Sequence, residues 1–89
     1  MATLIFTQQL ARFLPVPEVA TAAATLRLAL DQAFAANPLL RSYVLDDQGH
    51  LRDNVVVFID GRRSSERKRL DDPLRPESTV YILQALSGG

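Results

Sequence analysis

The chain has 89 residues, enough for one domain that folds without a metal or disulfide staple and too few for two. Apolar residues make up 47% and charged residues 22%, which excludes a disordered or fibrous chain. Ten basic residues offset ten acidic ones, so the large net field of a general nucleic-acid binder is missing, and the lack of cysteine removes disulfides, thiolate metal sites and thiol nucleophiles. No stretch approaches the length of a bilayer span, and Met1 to Thr7 lacks the basic-then-apolar pattern of an export signal, so a cytoplasmic protein without membrane association is expected.

Thr3 to Gln8 alternate around Leu4 and Phe6, with Ile5 between, and predict a first strand. Pro15 and Pro17 punctuate the chain before a second strand over Glu18 to Ala23, where Val19 and Thr21 alternate with small residues. The alanines of that stretch would equally suit an early helix start. Thr25 is placed to cap a helix whose inner face carries Leu26, Leu30, Ala33 and Phe34, with Leu28 and Ala29 beside it, and Asn37-Pro38 stops it. Leu39, Leu40, Val44 and Leu45 predict a short helical or irregular segment, closed by a turn at Asp46, Asp47, Gln48 and Gly49.

The β-branched run Val55, Val56, Val57, Phe58, Ile59, opening at Asn54, predicts a central strand with apolar neighbours on both faces. Asp60-Gly61 then predicts a hairpin turn, with a short partner strand starting at Arg62 or Arg63. Leu70 and Leu74, between Pro73 and Pro76, read as a loop pinned to the core, and Thr79 to Leu83 as the last strand. Ser87-Gly88-Gly89 has neither the bulk to pack nor the side chains to fix a backbone, and is expected to project. The expected order is strand, strand, helix, strand, strand, strand.

The side chains offer little conventional chemistry. His50 stands alone beside Gly49 and reads as a surface turn residue, so no metal site is expected. Asp46-Asp47 and Asp71-Asp72 are adjacent acids of the kind turns favour, without the facing geometry of a catalytic pair. Gly61 has no phosphate-binding loop around it, so the chain is not expected to bind ATP itself. Arg62, Arg63, Arg67, Lys68 and Arg69, interrupted by Glu66, form a dense basic patch best read as a solvated loop or charged edge strand. With no aromatic residue in it to stack on bases, direct nucleic-acid binding is not expected.

From Thr25 onward the sequence resembles the ThiS/MoaD family of sulfur carriers, which share the ubiquitin-like β-grasp fold. The marks are Thr25 to Leu30 opening the helix, Asn37-Pro38-Leu39-Leu40-Arg41 ending it, Leu45-Asp46-Asp47 with Gly49 and Leu51-Arg52, then Asn54 to Gly61. Leu70-Asp71, Pro73-Leu74 and Val80-Tyr81-Ile82-Leu83 continue it, and Ala85-Leu86-Ser87-Gly88-Gly89 completes it. Pro76-Glu77 stands where members often have Asp-Gly, and Gln84 where they often have proline; both differences bear on the choice of partner.

The resemblance implies an α+β fold, a mixed sheet of four to five strands packed on one main helix, with residues 1 to 86 as the β-grasp domain and residues 87 to 89 as a flexible tail. It also implies a cycle in which a separate, ubiquitin-activating-like enzyme uses MgATP to adenylate the Gly89 carboxylate. A sulfurtransferase or sulfide then displaces AMP to leave a thiocarboxylate, and a biosynthetic enzyme accepts the sulfur. Thiamin, molybdopterin, cysteine, thiolated tRNA and secondary metabolites all remain open as products. On this reading the chain is a carrier and co-substrate rather than an enzyme, and binds no cofactor itself. Two other readings stand beside it: the small subunit of a molybdopterin-synthase-like complex, and a ubiquitin-like protein modifier or binding module that joins Gly89 to lysines.

The chemistry accounts for the residue types. A free carboxylate is a poor acyl donor, and a mixed anhydride with AMP supplies the leaving group. Glycine at 88 and 89 removes the Cβ atoms that would collide with a narrow channel, so Gly89 is the expected reactive residue and Leu86, Ser87 and Gly88 its delivery segment. Fixing such a segment costs about 1 to 2 kcal/mol per residue, so the folded body must provide a docking surface. If Val80 and Ile82 face the helix, Tyr81 and Leu83 face the other way and join Phe58 in an apolar partner interface.

Overall fold

In the computed structural model, residues 1–7, 10 and 18–84 are described. The elements run β1 (Ala2–Phe6), β2 (Glu18–Thr21), α1 (Leu26–Ala36), α2 (Pro38–Val44), β3 (Val55–Ile59), β4 (Arg62–Arg63) and β5 (Thr79–Gln84). The strands form one five-stranded sheet in the order β2-β1-β5-β3-β4. β1 and β5 pair in parallel and the other neighbours are antiparallel, so the sheet is mixed.

Alternation decides which face of each strand is dry. Ala2, Leu4 and Phe6 of β1, Val55 and Val57 of β3, and Val80 and Ile82 of β5 are all buried and share one core with Leu26, Ala29, Leu30, Ala33 and Phe34 of α1. Leu40 and Val44 of α2 join the same core. Burying a leucine or phenylalanine here contributes about 1.5 to 3 kcal/mol each, so this single layer between sheet and helices carries most of the fold.

Local signals set the ends of the elements. The Thr25 hydroxyl accepts from the Leu28 amide at 3.3 Å and caps α1, as its position in the sequence predicts. At the far end Asn37 and Pro38 start α2 directly, with proline in the first turn where its missing N–H is harmless. The segment predicted to be short helical or irregular is thus a short regular helix, which joins the main helix α1 on the sheet.

The remaining differences from expectation are small. β2 stops at Thr21, short of Ala22 and Ala23, because the chain must turn to reach the cap of α1; the Thr21 hydroxyl accepts from the Ala23 amide at 3.0 Å in that turn. β1 ends at Phe6, and Gln8 lies outside the described residues. Leu28 sits off the inner face of α1, at 52% exposed. The valine-rich β3 is not the central strand: β5 is, flanked by β1 and β3, while β3 borders the two-residue edge strand β4.

Asp60 and Gly61 have φ of 51° and 83°, so both central residues of the β3–β4 hairpin are left-handed, the geometry whose twist matches the strands it joins. Leu70 also has positive φ, 55°, yet is fully buried. The left-handed backbone costs roughly 1 to 2 kcal/mol for a residue with a Cβ, which burial of the leucyl side chain offsets.

Candidate functional site

The sheet face turned away from the helices is built by the alternate residues of the same strands. One register row crosses all five of them: Glu18 opposite Ile5, Ile5 opposite Tyr81, Tyr81 opposite Phe58 and Phe58 opposite Arg63. The row therefore runs acid, aliphatic, aromatic, aromatic, base. Tyr81 is 42% exposed, while Ile5 and Phe58 are half-buried against it. One row further on, Leu83 lies opposite Val56, and both are half-buried.

Phe58, Tyr81 and Leu83 are thus brought onto one face as strand alternation predicts. Cross-strand neighbours of this kind lie about 4.5 to 5.5 Å apart and pack on one another. Ile5 and Val56 complete the patch and were not singled out from sequence. The signal for Ile5 was present, since it lies out of phase with the inward Leu4 and Phe6. Neither described helix packs against the face of β3 that carries Val56 and Phe58; their apolar neighbours there are the cross-strand Leu83 and Tyr81.

The other candidate residues, Leu86, Ser87, Gly88 and Gly89, lie outside the described residues. Their point of departure is fixed: Gln84, the last residue of β5, pairs with Val55 at the start of β3. The docking candidates Tyr81 and Leu83 therefore belong to the very strand that leads into the Gly-Gly segment.

The basic stretch divides into two parts. Arg62 and Arg63 are exposed on edge strand β4, as a charged edge should be. Arg67 is different: its Nη2 donates to the Val55 carbonyl at 2.8 Å and also to the Arg52 carbonyl, tying the 64–70 loop to the start of β3. Arg27 of α1 ties the same loop from the other side, with Nη2 donating to Lys68 O at 2.7 Å and Gly49 O at 2.9 Å, and Nε to Arg69 O at 3.2 Å. Gly49 has φ of 78°, a left-handed backbone that favours glycine; a Cβ there would make only ordinary van der Waals contact, 3.6 Å from Arg27 Nη1 and 3.8 Å from Arg41 Nη2.

Three carboxylates organise the loops. The Asp60 carboxylate accepts from the Thr79 amide at 3.0 Å, the Ser78 hydroxyl at 2.9 Å and Arg75 Nη2 at 3.4 Å, and these donors, the Thr79 amide foremost, hold its pKa below the usual carboxylate value. Asp46 accepts from the His50 and Gln48 amides, which lower its pKa likewise. Glu66 does the same with the Arg69 and Lys68 amides. Of the paired acids, Asp46 therefore closes a turn, and Asp72 accepts from Ser64 Oγ. His50 is half-buried rather than fully on the surface, its backbone N–H donating to the Asp46 carboxylate.

An open groove of about 500 Å³ lies at the far end of β5, lined among others by Ile59, Asp60, Arg62, Ser64 and Asp72. It is remote from Gln84, because Ile59 pairs with Val80 near the start of β5. No group of three or more potential metal ligands converges among the described residues, and no helix among them is long and apolar enough to cross a membrane.

The sequence matches no protein-family model and no curated protein. Solved structures do match. The small archaeal modifier protein 1 of Haloferax volcanii superposes with a TM-score of 0.81 at 25% identity, over 99% of this chain and 98% of that one. A chain of the Amycolatopsis orientalis BexX/CysO complex gives 0.84 at 17% identity, with 100% of both chains covered. The small archaeal modifier protein 1 of Methanosarcina acetivorans gives 0.82 at 18% identity, over 99% and 95%. These neighbours are β-grasp, ubiquitin-like proteins of the ThiS/MoaD type, and this chain, an α+β protein with a mixed five-stranded sheet, shares their fold as the resemblance from Thr25 onward implied.

Proposed function

We propose that this chain is a sulfur carrier. A partner enzyme adenylates the Gly89 carboxylate with MgATP, a sulfur donor displaces AMP, and the resulting thiocarboxylate is delivered to a biosynthetic acceptor. The observation that carries this reading is the place of β5: it presents Tyr81 and Leu83 on the open face, and in the sequence its last residue, Gln84, is followed by Ala85, Leu86, Ser87, Gly88 and Gly89. A partner that grips the patch around Tyr81 thereby receives the segment that follows it.

The division of labour follows from energetics. Ordering the glycines costs about 1 to 2 kcal/mol per residue and their contacts do no more than offset it, so the apolar row of Ile5, Tyr81 and Phe58 supplies the affinity. Glu18 and Arg63 at opposite ends of the row fix the orientation of docking by charge. The body contributes no acid or base to the chemistry; its role is to place one carbonyl carbon in another protein's ATP site.

The reading takes Gly89 as the end of the mature chain. Intact-mass analysis of the protein from its native host reads that end directly, with a Gly89 deletion as the control. Replacement of one terminal oxygen by sulfur supports the proposal. Only free carboxylate, together with no adenylate when candidate partners and ATP are supplied, refutes it. A second reading, attachment of Gly89 to lysines of other proteins, is favoured by the likeness to a small archaeal modifier protein and begins from the same adenylate.

A further inference from the structure

An activated Gly89 is an electrophile that meets its own kind at whatever concentration the carrier reaches, so the chain's own nucleophiles matter. It has no cysteine, nine arginines and one lysine. Guanidinium groups stay protonated and do not attack acyl carbons, whereas an ammonium group loses its proton and does. Nearly the whole cationic surface is therefore inert towards the activated terminus.

Among the side chains the exception is Lys68. It is exposed, and its backbone is held from both sides: its amide donates to Glu66 Oε1 at 2.7 Å, and its carbonyl accepts from Arg27 Nη2 at 2.7 Å. Among the described residues no carboxylate lies within salt-bridge distance of its ammonium group, and the two ion pairs found there both belong to Arg75. Around it stand Arg27 and Arg41, whose guanidinium groups converge on Gly49, together with Arg67 and Arg69. Asp46 and Glu66 share this region and accept from backbone amides, and the Arg69 and Lys68 charges act on the Glu66 carboxylate. An anionic acyl-phosphate arriving here meets several guanidinium groups around one amine.

We propose that Lys68 is the acceptor site for the activated terminus of a second copy of this chain, so that the protein links to itself through Gly89 and Lys68. The inference rests on adenylation of Gly89 as proposed above. The neutral Lys68 amine attacks the Gly89 acyl carbon of the second copy, a C–N bond forms, and the C–O bond to AMP breaks. AMP leaves with the electron pair, the amine proton goes to solvent, and ATP has been consumed to AMP and pyrophosphate.

The test is made in the native host with full chains carrying a lysine-free N-terminal tag: wild type, Lys68→Arg and a Gly89 deletion. Proteins are isolated under denaturing conditions, resolved by size, digested with trypsin and mapped by mass spectrometry. The expected product is a self-linked dimer whose Lys68-Arg69 peptide carries residues 70 to 89 as a branch, since Arg75-Pro76 resists trypsin. Lys68→Arg is expected to lose the dimer while keeping the thiocarboxylate or adducts on other proteins, and the Gly89 deletion to lose everything. Dimers that persist in Lys68→Arg overturn the assignment, as does a wild type that carries thiocarboxylate or foreign adducts and no self-linked species. A wild type with neither modification refutes the activation of Gly89 itself, and Lys68 as acceptor falls with it.

Discussion

Asp60 holds the hairpin turn, the Ser78 hydroxyl and the first residue of β5 with one carboxylate. Its pKa lies below the ordinary value because the Thr79 amide, the Ser78 hydroxyl and Arg75 all favour the ionised form. A carboxyl group whose folded pKa is depressed binds fewer protons in the native state than in the unfolded one. Its stabilising effect is therefore complete above the ordinary carboxylate value of about 4 and is lost as the pH falls through the lower folded value. Asp46 and Glu66 act in the same direction. We expect urea unfolding of the wild type to show stability falling below about pH 4, and Asp60→Asn to be less stable at pH 7 with a shallower fall in acid. Parallel curves for the two proteins would show that Asp60 does not carry this dependence.

The two faces of β5 make different demands on their residues. Val80 and Ile82 are buried against α1 and α2, while Tyr81 stands 42% exposed between Phe58 and Ile5. Leu30→Ala in the fully buried helix face should cost about 2 to 5 kcal/mol of stability, from lost burial and the cavity left behind. Tyr81→Ala removes a cross-strand pair worth about 0.2 to 1 kcal/mol and should leave the fold intact. It should nevertheless weaken binding to the host's adenylating enzyme by tenfold or more, about 1.4 kcal/mol, if the patch is the docking face. Denaturation and titration of the two variants separate the roles.

The outward half of this contrast was legible in the sequence, because period-two alternation over 79 to 83 assigns Tyr81 and Leu83 to one side without reference to the rest of the chain. The central place of β5 was not. A run such as Val55 to Ile59 advertises burial by its composition, but which strand lies next to which depends on how β1 returns from residue 6, and no local pattern encodes that. The cap at Thr25 and the Asp60-Gly61 turn were legible because their chemistry is local. The carbonyl tethers made by Arg27 and Arg67 were not, since a run of basic residues looks the same whether its guanidinium groups are solvated or bonded to backbone 41 residues away.

At the scale of the whole molecule, the proposed function requires the body and the Gly-Gly segment to be energetically separate. The body is completed by one core shared by the sheet and both helices, and α1 and α2 pack on the face opposite Tyr81. Among the described residues, Ile82 is the last in the chain to join that core. Deleting Gly88 and Gly89 should therefore leave the unfolding midpoint unchanged. It should also leave affinity for the adenylating enzyme within a few-fold of wild type, because the ordering cost of about 1 to 2 kcal/mol per residue disappears together with the contacts that offset it. Adenylate formation should vanish all the same, which pyrophosphate release measures. Tyr81→Ala should do the reverse: raise the concentration needed for half-maximal pyrophosphate release while leaving the rate at saturation nearly intact, as expected when uniform binding is removed. If deletion of the two glycines abolished binding as well as turnover, the affinity would reside in the segment and the sheet face would be a bystander. The two variants measured side by side thus decide whether recognition and chemistry occupy separate parts of this chain.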